Sequence, residues 1–128
     1  MSREIRLPLG FRDVDAFGHV YHAEYLTLLG EARTRWFREA VAFDEPGAYV
    51  VARIEIDYVS SLVLTDAEVL AAFVVERVGA TSVTLAETLS APDGRVTARV
   101  RSVTLRHDLA TGRPRPLTDA EKGRLARA

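Results

Sequence analysis

The chain of 128 residues contains no cysteine, which excludes disulfides, thiolate metal sites and a cysteine nucleophile. Lysine occurs once, at Lys122, and the arginines are scattered rather than gathered into a stripe. Lys and Arg total 17 against 18 Asp and Glu, a formal net charge of -1. The basic face that nucleic-acid binding by counterion release requires is therefore missing. No apolar run reaches the roughly 18 residues needed to span a bilayer. The stretch Met1-Ser2-Arg3-Glu4-Ile5 has no apolar segment after its charge, so no secretory leader is expected and a cytoplasmic protein is. With only 3 His, a metal would have to rest on imidazoles plus carboxylates, and no metal site is expected. What is present is ordinary for a globular domain: 48% hydrophobic and 27% charged residues. This length and composition predict a single domain over residues 1–128.

Ile5, Leu7 and Leu9 alternate with Glu4 and Arg6, the period of a half-buried strand over Arg3 to Leu9, with Pro8 placing it at an edge or a strand end. Gly10 to Gly18 has loop chemistry. From His22 to Val41 the period lengthens: Tyr25, Leu28, Leu29, Ala32, Trp36 and Ala40 mark one face of an amphipathic helix. Gly30 lies inside it at a cost of about 1 kcal/mol against Ala. Asp44-Glu45-Pro46-Gly47 breaks the pattern. Strand-like segments follow at Tyr49–Tyr58, Ala67–Val78, Thr81–Ser90 and Val96–His107, the last two joined by the hairpin signal Pro92-Asp93-Gly94. Thr118-Asp119-Ala120-Glu121 reads as a capping box that opens a short last helix. Five strands and one long helix make an α+β domain, its antiparallel sheet wrapped around the helix. Open sheet edges favour pairing with another copy.

The densest chemistry lies between the first strand and the long helix, in Phe11-Arg12-Asp13-Val14-Asp15-Ala16-Phe17-Gly18-His19-Val20-Tyr21-His22. A helix N-terminus offers unpaired N–H donors and partial positive charge, suited to a developing oxyanion. A carboxylate just before it suits general-base or nucleophilic work. Asp at such a place is also an ordinary cap or turn former, worth about 1 kcal/mol, and Asp13 in particular fits a bracing role.

This segment, continued by Ala23-Glu24-Tyr25-Leu26 and Glu31-Ala32-Arg33-Thr34-Arg35-Trp36-Phe37, resembles the hotdog-fold acyl-CoA thioesterases, and among them the 4-hydroxybenzoyl-CoA thioesterase and YbgC-like group. The likeness runs on through Val50 to Tyr58, Gly79-Ala80-Thr81-Ser82, and Val103-Thr104-Leu105 to Gly112-Arg113-Pro114, nearly the whole chain. It implies a five-stranded antiparallel sheet around one central helix and hydrolysis of an acyl-CoA thioester to acid and thiol. Asp15 falls on the family's catalytic carboxylate, as nucleophile or as base for water, and His22 on a second active-site position. The amide near His22 would polarise the thioester carbonyl. Gly18, Val20 and Tyr21 fall on substrate-binding positions, Gly18 allowing close backbone approach. Coenzyme A is then part of the substrate, an acyl-carrier-protein ester being the other carrier, and no separate cofactor is expected. The resemblance also implies a homodimer or homotetramer with sites between subunits.

The chain departs from the family pattern in places that bear on the substrate. Phe11 stands where a Tyr is usual, Glu24 where Asn is, and Thr65-Asp66 where Gly-Asp is. Gly30 replaces an acidic helix residue, and Glu31 beside it points about 100° away. Two explanations of Gly30 stand: room for a larger acyl group, or closer contact between helix and sheet. Arg77, Arg106, Arg113 and Arg115 are candidates for coenzyme A phosphates, although each taken singly reads better as a solvated strand end. His19 ranks second among the loop residues, Trp36 reads as core or interface, and His107 receives no role. Two other classes remain open: an acyl-thioester hydratase or dehydratase pairing His22 with Glu31 or Asp13, and a binder of acyl-CoA without turnover.

Overall fold

The periods in the sequence become elements of the kind they predict, except for the last turn of the long helix. The computed structural model describes residues 4–42 and 49–128. Arg3 and the break at Asp44-Glu45-Pro46-Gly47 lie outside them. Strand β1 is Glu4–Pro8, with Ile5 and Leu7 buried. Helix α1 is Glu24–Trp36 and continues into a wider, π-type turn, Phe37–Val41. Strands β2 (Tyr49–Tyr58), β3 (Glu68–Val78), β4 (Ser82–Ser90) and β5 (Val96–Asp108) follow. A short β6 (Arg113–Pro114) and helix α2 (Asp119–Arg127) complete the described chain. The strands lie in the order β1-β3-β4-β5-β2, all antiparallel, with β6 folded back on the end of β5. The five long strands were expected. The sixth was hidden because two residues carry no period.

The sheet curls around α1, and two of its bulges fall at one level. Bulges interrupt β2 between Val51 and Arg53 and β3 between Val75 and Arg77. Just past them, Arg53, Val103, Thr84 and Arg77 form one row across β2, β5, β4 and β3. An extra residue on each of two strands at the same height raises the local twist and curls the sheet. The concave face carries Val83, Leu85, Leu89, Ala98, Val69, Ala71 and Phe73, which pack on Tyr25, Leu28, Leu29, Ala32 and Trp36 of α1. Burying each large apolar side chain is worth about 1.5–3 kcal/mol.

The last turn of the long helix differs from the regular helix expected. In an α-helix Val41 would sit about 40° further around the axis than Phe37. The wider turn keeps both buried, with Phe37 stacked on Tyr49 at 4.3 Å between ring centroids. Arg124 of α2 closes this end by donating to the Val41 carbonyl at 2.9 Å. The expected capping box is present: the Glu121 amide donates to Thr118 Oγ1 at 3.1 Å, and the Thr118 amide to Glu121 Oε1 at 2.9 Å.

Candidate active site

The loop from Gly10 to His22 is built by its own carboxylates. The Gly10 amide donates to Asp13 Oδ2 at 2.7 Å, and the Tyr21 amide donates to the Asp13 carbonyl at 2.9 Å. Asp13 is thus the brace of the loop. Asp15 folds the tip: its Oδ1 accepts from the amides of Phe17 at 2.8 Å and His19 at 3.3 Å. Among the described residues its Oδ2 receives no donor. Gly18 has φ of 79°, a backbone state that Gly enters without penalty, and it turns the chain back toward Val20. Val20 is buried, and its amide donates to the Leu62 carbonyl at 2.7 Å. The opposing segment is fixed by Arg95, which donates to the Asp66 carboxylate at 2.9 Å and to the Ser61 carbonyl at 3.3 Å.

These contacts frame an open cleft of about 440 Å³ at the N-terminal end of α1. Asp15, His19, Val20, Tyr21, His22 and Tyr25 line one side, and Tyr58, Val59, Ser60 and Ser61 the other. Asp15 and His22 therefore meet in one cleft, together with Val20 and Tyr21. Gly18 shapes the loop and is not among the lining residues. At the helix start the Glu24 amide donates to the Tyr21 carbonyl at 2.9 Å, whereas the His22 and Ala23 amides meet no acceptor among the described residues. Tyr25 is buried, and burial pushes its hydroxyl above the usual tyrosine value. Tyr58 and Tyr25 went unassigned in the sequence, where each counts only as one beat of an alternation. What makes them site residues is that the end of β2 arrives beside the start of α1.

One of the two explanations of Gly30 is removed. A Cβ built there would meet nothing within 4 Å outside its own helix turn, so close contact with this sheet does not explain it. Neither acidic partner suggested for a hydratase reaches His22's cleft: Glu31 pairs with Arg35 at 3.1 Å along the helix, and Asp13 is held by Gly10. Of the four arginines considered for phosphate, one is buried against a carboxylate and a second, partly exposed, is tied to the same carboxylate. Arg106 is buried and donates from Nε to Glu121 Oε2 at 2.6 Å, and Arg115 reaches Glu121 Oε1 at 3.2 Å. The reading of Arg106 as a solvated strand end is corrected, because its side chain turns inward to meet the carboxylate of α2. Arg77 and Arg113 remain exposed. Trp36 is core, as expected. Among the described residues no group of three or more His, Cys, Asp or Glu side chains is placed to hold a metal ion, and no helix is long and apolar enough to cross a membrane.

The sequence profile of the thioesterase-like superfamily matches residues 9–125. The chain belongs to that superfamily. No functionally curated protein matches it by sequence. Among solved structures it is similar to a thioesterase from Thermus thermophilus crystallised with coenzyme A and zinc, at 32% identity and a TM-score of 0.85, with 97% of this chain and 91% of that chain covered. It is also similar to a predicted thioesterase from Bacillus stearothermophilus, at 25% identity and a TM-score of 0.87, covering 99% of this chain and 96% of that one. A 1,4-dihydroxy-2-naphthoyl-CoA thioesterase from Synechocystis shares the fold at a TM-score of 0.81 and 16% identity, over 98% of this chain and 96% of that one. The hotdog fold, the thioesterase family and a thioester hydrolase, all expected from the sequence, are borne out.

Proposed function

We propose that this thioesterase hydrolyses an acyl-CoA ester with Asp15 as the catalytic carboxylate and the start of α1 as the oxyanion site. The observation that carries the reading is the meeting of Asp15 and His22 at one cleft, where the helix begins with His22 and Ala23 amides that meet no acceptor among the described residues. Oδ1 of Asp15 anchors the loop, which leaves Oδ2 for chemistry. As base, Asp15 takes a proton from water while the water oxygen bonds to the thioester carbon. The carbonyl oxygen gains negative charge and is held by the helix-entry amides, which are preorganised and need not reorient. The C–S bond then breaks, the proton passes to the departing thiolate, and free acid and thiol result. As nucleophile, Asp15 would first form an acyl anhydride that water cleaves to the same products. The coenzyme A found with the Thermus relative supports coenzyme A as the carrier.

A second copy of the chain completes this reading. Strand β2 is a ten-residue sheet edge with Val50 44% and Val51 46% exposed. Long open edges invite pairing. A dimer or tetramer built on β2 would set partner residues beside the Tyr58 end of the cleft. Light scattering after size exclusion tests this, and a stable monomer would overturn it.

The function is tested by thiol release over aromatic, short-chain and long-chain acyl-CoA esters, with Asp15→Ala in parallel. Turnover that disappears in the variant is expected. No turnover on any ester would move attention to carrier-protein esters, crotonyl-CoA hydration and ligand-induced melting shifts.

A further inference from the structure

Tyr58 ends β2, and its hydroxyl donates to the carbonyl oxygen of His22 at 2.8 Å. The ring is braced where it stands: edge-on to Tyr25 at 5.0 Å and to His22 at 6.5 Å between centroids. In a trans peptide the carbonyl and the following N–H share one plane and point in opposite directions. A hydrogen bond at the His22 carbonyl therefore sets the direction of the Ala23 N–H, and clamps the residue whose own N–H precedes it. It also polarises the shared amide, because hydrogen bonds in series strengthen one another. These two amides are the helix-entry donors that meet no acceptor among the described residues.

We propose that Tyr58 is a positioning residue for the oxyanion site: a hydroxyl delivered by the edge strand aims the donors at the start of α1. It acts through the His22 carbonyl and not by contact with the reacting atoms. The proposal rests on the thioesterase reading of this cleft. Its consequence is that the donors are not set by the helix alone. They are set by where β2 ends, so the sheet edge and the catalytic amides form one mechanical unit.

Tyr58→Phe keeps the ring and removes only the donor. On the best acyl-CoA ester, kcat is expected to fall on the order of tenfold with KM within about twofold, less than the roughly 10²–10³-fold loss that deleting a direct oxyanion donor brings. The amide nitrogen of Ala23, which follows the released carbonyl, is expected to shift in the NMR spectrum of the ligand-free protein, with Tm confirming the fold. Unchanged kcat, or a KM that rises in proportion to the fall in kcat, overturns the positioning role. Wild-type protein inert on every acyl-CoA ester overturns the acyl-CoA reading of this cleft instead. The Ala23 shift is read in that case too, and an unmoved shift overturns the contact itself.

Discussion

Arg33 and Glu87 meet side by side inside the core, Nε to Oε2 at 2.6 Å and Nη2 to Oε1 at 2.7 Å. Both side chains are almost fully removed from water, at 5% and 0% exposure. Ser102 on β5 donates its hydroxyl to the same Oε2 at 2.5 Å. One helix and two strands are thus locked in register by a charge pair at the centre of the apolar face. Glu87→Leu alone is expected to cost about 3–5 kcal/mol, since Arg33 is left buried and unpaired. The double variant Arg33→Met, Glu87→Leu is expected to recover much of that loss. Urea denaturation of both checks it, and a double variant no more stable than the single would refute the account.

The two jobs of Asp15 separate by substitution. Asp15→Asn keeps an oxygen to accept from Phe17 and His19, so Tm is expected to hold while turnover falls at least about a hundredfold. Asp15→Ala removes the acceptor as well, and is expected to lose about 1 kcal/mol of stability besides. Asn with near-wild-type kcat would remove Asp15 from the chemistry.

Gly30→Ala meets open space, so it is expected to stabilise the helix by about 1 kcal/mol. Gly30→Leu is expected to shift preference toward shorter acyl chains if the vacancy holds the acyl group. Rates across chain length decide this, and an unchanged profile would assign the vacancy to something other than the acyl group.

Glu121 on the C-terminal helix and Tyr49 near it titrate at opposite ends of the scale. Burial alone would raise the Glu121 carboxyl, but the Thr118 amide and the Arg106 guanidinium bring it below its ordinary value. Its contribution is present above the ordinary carboxylate range and is lost as pH falls below it. Burial, with the Glu121 charge beside it, pushes the Tyr49 hydroxyl up to about 12. That contribution is complete below the ordinary value of 10.0 and is lost as pH rises through about 12. Protection of the Asp119–Arg127 amides, relative to an unstructured peptide at the same pH, is expected to fall at both extremes, and unchanged protection at both would contradict the pairing.

Much of the fold is legible because it is local. The stripe from Tyr25 to Trp36, the alternation of Val83, Leu85 and Leu89, and the capping box at Thr118 each depend on residues a few places apart. Arg33 and Glu87 are charges on the buried faces of α1 and β4, and only the fold shows that each is the other's answer. The same distinction holds at the site. Asp15 and His22 stand out because they flank a helix start. Tyr58 does not, because its partner lies 36 residues away and nothing in the spacing links them.

The sequence by itself determined the strands, the long helix, the loop that carries Asp15 and the resemblance that names the family. Those features rest on periodicity and on short-range hydrogen bonding, which neighbouring residues decide. Only the tertiary structure decided that the bulges of β2 and β3 align on the row from Arg53 to Arg77, that Arg106 turns inward to Glu121, and that the end of β2 holds the peptide at the start of α1. Each of these joins residues far apart in the chain, and their pairing is fixed by how the sheet closes over the helix.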